Sequence, residues 1–122
     1  MPSILLIDDS PTDAHVYGSM LRAEGHEVSI ATSGEEGIDS ARRLQPDIII
    51  MDVVMPGLNG FEATRLLARE DDTANIPVII LSTRQGESDR LWGLRQGAYD
   101  YLCKPVSKPE LLSSVDAALE KA

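Results

Sequence analysis

The sequence predicts a (βα)5 domain of the α/β class, built on one five-stranded parallel sheet. Three observations lead there. Apolar runs recur at Ser3–Ile7, Glu27–Ile30, Asp47–Met51, Val78–Leu81 and Tyr99–Cys103, with starts roughly 20–30 residues apart, the spacing of a strand–helix unit. Three of these runs are continuous rather than alternating, as in strands buried on both faces. The segments between them carry helical spacing and helix-start chemistry.

Taken in order, the first strand ends at Ile7 and is followed by Ser10-Pro11-Thr12-Asp13, a capping box with proline at the first helical position. Tyr17, Met20 and Leu21 then share one helix face. After the second strand, Ser33-Gly34-Glu35-Glu36 forms a second box, leading to Ile38 and Ala41. The third helix starts at Asn59-Gly60-Phe61-Glu62 and carries Leu66 and Leu67. A fourth starts near Glu87, with Leu91 and Leu94 as its inward stripe, and stops at Gly97, a C-terminal glycine. Ser107-Lys108-Pro109-Glu110 opens the last helix, whose apolar face is Leu111, Leu112, Val115, Ala118 and Leu119. Right-handed crossovers with helices on both faces leave few strand orders. The flavodoxin-like, doubly wound order 2-1-3-4-5 is the common one at this size. The domain is expected to fill residues 1–122.

Composition narrows the function. The chain is 43% apolar, so it should be globular. Five residues are aromatic, so Ile, Leu, Val and Ala must make the core. The net charge of −9 opposes nonspecific binding to nucleic acid or anionic membranes. The single cysteine, Cys103, lies in an apolar run and is expected to be a buried, inert thiol. It has no internal disulfide partner, which fits a reducing compartment. No run reaches the roughly 18 apolar residues of a membrane span, and no signal peptide is visible. The cytoplasm is the expected location.

Acids stand where the strands stop. Asp8 and Asp9 follow the first strand, Asp52 the third, Ser82 the fourth and Lys104 the fifth. In the order 2-1-3-4-5 these positions meet along the carboxyl edge of the sheet, where open α/β sheets bind ligands. Crowded carboxylates raise one another's pKa values, and a divalent ion relieves this. Oxygen-only ligands favour Mg²⁺. Lys104 would balance charge, the Ser82 hydroxyl could donate to a phosphoryl oxygen, and Asp52 could act as nucleophile. Phosphoryl transfer needs mainly in-line positioning and charge neutralisation, which this set supplies.

Ile7-Asp8-Asp9-Ser10, Met51-Asp52-Val53-Val54-Met55-Pro56-Gly57-Leu58-Asn59-Gly60, Pro77-Val78-Ile79-Ile80-Leu81-Ser82 and Lys104-Pro105 resemble the receiver domain of bacterial two-component response regulators over the whole chain. The resemblance implies that Asp52 takes a phosphoryl group from the phosphohistidine of a sensor histidine kinase. It implies Mg²⁺ ligation by Asp9, Asp52 and the Val54 backbone carbonyl, with Asp8 assisting. Ser82 and Lys104 would contact the phosphoryl group, and the peptide before Pro105 would be cis. Ser82 and Tyr101 would form the switch, and the face of the fourth helix, fifth strand and fifth helix would signal to a downstream protein. Val54 and Arg84 occupy the positions that tune phosphoryl lifetime in this family. An apolar Val54 offers no group to orient attacking water, so slow self-dephosphorylation is expected.

Met55–Arg65 and Trp92–Leu102 look most like the stand-alone receivers of type IV pilus, twitching-motility chemosensory systems. The kinase would then be chemotaxis-kinase-like. A flagellar chemotaxis receiver and a phosphate sink are the alternatives. Nothing follows the fifth helix, so output is expected by protein contact, as a monomer or a phosphorylation-dependent dimer. The domain should not be an enzyme acting on others; its chemistry is self-catalysed on Asp52. A haloacid-dehalogenase-type phosphatase would need an acid at Val54. A flavodoxin would need a glycine-richer loop than Ser10-Pro11-Thr12-Asp13 after the first strand. A purely structural interaction domain would not need the five site residues. Trp92, beside the inward stripe, should point partly sideways, toward a partner or onto edge packing. Gly93 in mid-helix costs roughly 1 kcal/mol against Ala and suggests a loose helix. His15 and His26 are expected in surface or cap roles.

Overall fold

The computed structural model describes residues 2–121. It runs β1 (Ser3–Ile7), α1 (Pro11–Ala23), β2 (Glu27–Ala31), α2 (Gly34–Leu44), β3 (Ile48–Asp52), α3 (Gly60–Arg69), β4 (Val78–Ser82), α4 (Glu87–Arg95), β5 (Asp100–Cys103) and α5 (Lys108–Lys121). All strand pairs are parallel, in the order β2-β1-β3-β4-β5. The strands match the apolar runs to within one residue at either end. The shifts matter at two places: Asp52 and Ser82 are the last rungs of β3 and β4, paired with Leu81 and Cys103, rather than loop residues beyond them.

Side-chain alternation along the central strands divides the interior in two. Leu5, Ile7, Ile49, Met51, Val78, Ile80 and Tyr101 face one layer, packed on Ile38 and Ala41 of α2 and on Phe61, Ala63 and Leu67 of α3. Ile4, Leu6, Ile48, Ile50, Ile79, Leu81 and Leu102 face the other, against Ala14, Tyr17 and Leu21 of α1 and Leu111, Val115 and Ala118 of α5. Leu111 and Val115 are fully buried, and burial of each contributes about 1.5–3 kcal/mol. That face holds α5 to the sheet.

The helix starts follow the sequence closely, with two differences of detail. Ser10, Ser33 and Asn59 accept hydrogen bonds from the backbone amides of Asp13, Glu36 and Glu62. Only Asn59–Glu62 closes a reciprocal box. The Glu36 carboxylate reaches one residue further back, to the Thr32 amide. The Asp13 carboxylate turns away to Lys104, because a buried ammonium is a stronger partner than a cap amide.

The inward face of α4 differs from expectation. Leu91 is 49% exposed and Leu94 is half-buried, while Gly93 is buried. A Cβ on Gly93 would lie 3.0 Å from the Tyr101 ring, 3.1 Å from Ile80 and 3.3 Å from Phe61. Leu94 packs on the core as expected, but Leu91 does not, and the helix makes its closest approach to the sheet through the one residue without a side chain. The mid-helix glycine therefore marks close packing rather than looseness. Trp92, next to it, is 51% exposed. Gly97 follows α4 with φ +114°.

Candidate functional site

Register assembles the site. Ile7 pairs with Met51, which sets Asp8 beside Asp52. Asp52 pairs with Leu81, and Ser82 with Cys103. Lys104 follows directly, its backbone amide donating to the Ser82 carbonyl at 2.7 Å. The Lys104–Pro105 peptide is cis. Gly60 allows the start of α3 to close over the end of β3: a Cβ there would sit 2.1 Å from the Asp52 carbonyl oxygen.

The sheet edge thus brings together Asp8, Asp52, Ser82 and Lys104, all at least nine-tenths buried, with Asp9 exposed at the mouth. Lys104 Nζ donates to Asp8 at 3.0 Å and to Asp52 at 3.4 Å. Its shortest contact is to Asp13 at 2.8 Å. Asp13 was visible in sequence only as a cap residue. The signal that could have found it is an acid one turn into α1, immediately above two strand-end acids that also need a cation. The Lys104 ammonium also stands 5.9 Å from the Tyr17 ring centroid.

Burial pushes the Asp52 carboxyl up to about 6, and the neighbouring Asp8 charge adds to it. Lys104 and the Val53 amide, which donates to Asp52 at 2.9 Å, pull the other way. Burial alone would lower the Lys104 pKa; hydrogen bonds to Asp13 and Asp8 and the charges of Asp52 and Asp8 outweigh it and hold the ammonium firmly protonated.

Carboxylate oxygens of Asp8, Asp9 and Asp52 lie within 4.8 Å of one another. Oxygens on opposite sides of an Mg²⁺ ion are about 4 Å apart, given ligand distances of about 2.0–2.1 Å, so small side-chain rotations would close the three around one ion. The donor set is oxygen only, which suits a hard cation. Val54 is exposed beside it, with its carbonyl on the segment that leaves β3.

Ser82 and Tyr101 meet at one backbone residue. The Arg84 amide donates to Ser82 Oγ at 3.0 Å, and the Tyr101 hydroxyl donates to the Arg84 carbonyl at 2.8 Å. Sequence reasoning singled out the Arg84 side chain; its backbone is what joins the two residues. The guanidinium instead stands 3.3 Å from Asp89 on α4. Cys103 is half-buried, not buried, with Sγ 3.9 Å from the same carbonyl. β5 ends there, and the residue packs on the edge of the core. His15 is exposed on α1, and His26 precedes β2 with Nδ1 buried and no hydrogen-bond partner among the described residues. Neither joins the acid cluster.

The sequence matches the family described as response regulator receiver domain over residues 4–116. It is 50% identical to Protein PilH of Pseudomonas aeruginosa over 98% of both chains. It is 39% identical to the transcriptional regulatory protein AfsQ1 of Streptomyces coelicolor, covering 99% of this chain and 52% of that one. Among solved structures, the receiver domain of the sensor histidine kinase PA1611 from Pseudomonas aeruginosa, crystallised with a magnesium ion in its active-site cleft, superposes with a TM-score of 0.91 at 33% identity, covering 98% of each chain. No helix among the described residues is long and apolar enough to cross a membrane.

Proposed function

The chain belongs to the response regulator receiver domain family, and on that premise we propose that Asp52 accepts a phosphoryl group from the phosphohistidine of a sensor histidine kinase. The observation that carries this reading is the buried Asp52 carboxylate at the β1–β3 switch point, flanked by the equally buried Asp8 and by a Lys104 ammonium 3.4 Å away. One Asp52 carboxylate oxygen attacks phosphorus in line. The bond from phosphorus to the imidazole nitrogen breaks, and the imidazole keeps the electron pair and takes a proton. Lys104 leaves its present carboxylate partners to meet the new phosphoryl oxygens. Ser82 donates its hydroxyl to another. Asp9, Asp52 and the Val54 carbonyl would hold Mg²⁺, with Asp8 assisting, and the ion would neutralise charge on the phosphoryl oxygens. Water attack on phosphorus restores the carboxylate. Val54 presents no polar group to orient that water, which favours a long-lived adduct.

The readout follows from the bonds around Arg84. A phosphoryl group brings about −1.5 to −2 of charge to the site. Movement of Ser82 toward it breaks the bond to the Arg84 amide, and Tyr101 is tied to the same residue. The face of α4, β5 and α5 changes with it and carries the signal to a downstream protein. Similarity to PilH supports a place in pilus, twitching-motility chemosensory signalling, with a chemotaxis-kinase-like donor in the cytoplasm. Incubation with acetyl phosphate and Mg²⁺ should add one phosphoryl group, about 80 Da, absent in Asp52→Asn. An adduct that persists in Asp52→Asn, or none in the wild type, rejects the assignment.

A further inference from the structure

Eight arginines are spread over this acidic chain. Five are engaged: Arg22 with the Val28 carbonyl, Arg42 with Glu70, Arg43 with Ser40, Arg84 with Asp89 and Arg90 with the Tyr101 carbonyl and Asp100. Arg65, Arg69 and Arg95 make no hydrogen bond or ion pair among the described residues. These three are not scattered. Arg65 and Arg69 stand one turn apart on α3, Arg95 stands on α4, and all three line one open groove of about 460 Å³ with Trp92. The groove has a fixed floor, because Gly97 lets the chain after α4 approach Ala68 of α3: a Cβ on Gly97 would lie 2.8 Å from the Ala68 Cβ.

Like charges at i and i+4 on a helix cost about 0.2–0.5 kcal/mol, so Arg65 and Arg69 are not there for helix stability. Three acids on or next to these elements are paired elsewhere: Glu62 with the Asn59 cap, Glu70 with Arg42 and Asp89 with Arg84. In a chain of net charge −9, the lining of this groove holds three arginines and no acid. Its only tryptophan stands half-exposed on the rim. Arginine and tryptophan are the side chains that most often dominate protein interfaces. Arginine forks pair carboxylates in two-point geometry.

We infer that the α3–α4 groove is a docking surface for an acidic protein segment. Its carboxylates pair with Arg65, Arg69 and Arg95, and an apolar side chain lies on Trp92. Charge complementarity selects this occupant, since the overall −9 opposes nucleic acid. The surface lies beside the α4–β5–α5 face and shares α4 with it, through Trp92 and Arg95.

Trp92 gives a built-in probe, being the sole tryptophan. The full chain is titrated with a short synthetic peptide of glutamates flanking a leucine pair, free of tryptophan, while Trp92 emission and backbone amide shifts are followed. The expected result is a saturable change, with shifts confined to α3 and α4 and weakened by salt. Arg65→Glu combined with Arg95→Glu should weaken binding by about tenfold or more, and Arg65→Gln with Arg95→Gln by less. Arg43→Glu on α2 should leave it unchanged. Both variants change exposed side chains, and circular dichroism checks that they fold. No saturable change, or equal affinity in the charge-reversed variant, overturns the proposal. Equal affinity for a single-stranded RNA overturns it in favour of a polyanion site. A doubled mass in sedimentation, lost in the charge-reversed variant, overturns it in favour of a second copy of the chain.

Discussion

Lys104 lies closer to Asp13 than to either strand-end acid: 2.8 Å, against 3.0 Å for Asp8 and 3.4 Å for Asp52. The ammonium is thus held toward α1 and slightly away from the carboxylate it is proposed to assist. Asp13 is 39% exposed, so the bond competes with water.

Removing that anchor should release Lys104 toward Asp52. An ion pair of this exposure is worth about 0.5–1 kcal/mol, which corresponds to a rate change of about two- to fivefold. Asp13→Ala should therefore speed labelling by acetyl phosphate by about that factor and lower folding stability by a similar energy. Asp13→Glu should stay near the wild-type rate. High salt should shrink the difference. Slower labelling in Asp13→Ala would mean that Asp13 presents Lys104 rather than restrains it.

Gly93→Ala tests how closely α4 lies on the sheet. Helix propensity alone favours alanine by about 1 kcal/mol. The added methyl, however, meets Tyr101, Ile80 and Phe61 at once, at 3.0, 3.1 and 3.3 Å, and overpacking of this kind costs about 1–3 kcal/mol. Urea denaturation should show a net loss of roughly 1 kcal/mol. A gain in stability would show that α4 can lift off the sheet freely.

Asp52 should make stability depend on pH. Its pKa is about 6 when folded, against about 3.9 in the unfolded chain. Between those values the folded state holds a proton that the unfolded chain has lost. Stability from this group is highest in acid, falls as pH rises toward 6 and stays low above it. Asp52→Asn removes the penalty. In chelator at pH 8 it should be more stable than the wild type by on the order of 2 kcal/mol, and the gap should close near pH 4. Thermal melts across that range read the difference directly; a gap independent of pH would show that Asp52 titrates normally.

The same carboxyl should set the pH dependence of metal binding, since a proton and a cation compete for it. Apparent Mg²⁺ affinity should be nearly flat above pH 7 and about tenfold weaker at pH 5. Isothermal titration or a fluorescence titration would measure this. A profile with no break near 6 would show that the buried Asp52 carboxyl does not take part in binding.

Much of this was legible in the chain because strand ends are punctuated by chemistry. Ile4 to Ile7 and Ile48 to Met51 are uninterrupted apolar runs, as in buried parallel strands, and the helix-start signals that follow each run distinguish them from helix. Once their order is fixed, Asp8 and Asp52 must be neighbours. What stayed hidden depends on orientation in three dimensions. Asp13 has the sequence context of a cap residue, and only the height of α1 above the sheet gives it Lys104. Gly93 has the signature of a weak helix, and only the approach of Tyr101 and Ile80 shows that an alanine there would be crowded. Leu91 and Leu94 suggested a stripe by spacing; Leu94 does pack on the core, but Leu91 is exposed, because a nine-residue helix offers too few turns for periodicity to fix its rotation.

The alternation that divides the core also divides the labour at the edge. Asp52 continues the row of Ile48 and Ile50, toward α1 and α5, and its partner Lys104 reaches Asp13 and Tyr17 on that side. Ser82 continues the row of Val78 and Ile80, toward α3 and α4, where Tyr101 lies. The sheet is an insulating wall between these compartments, breached only along its carboxyl rim. A group attached there touches both at once. An event received among the charges of one compartment can therefore be transcribed into the packing of the other without any strand having to move.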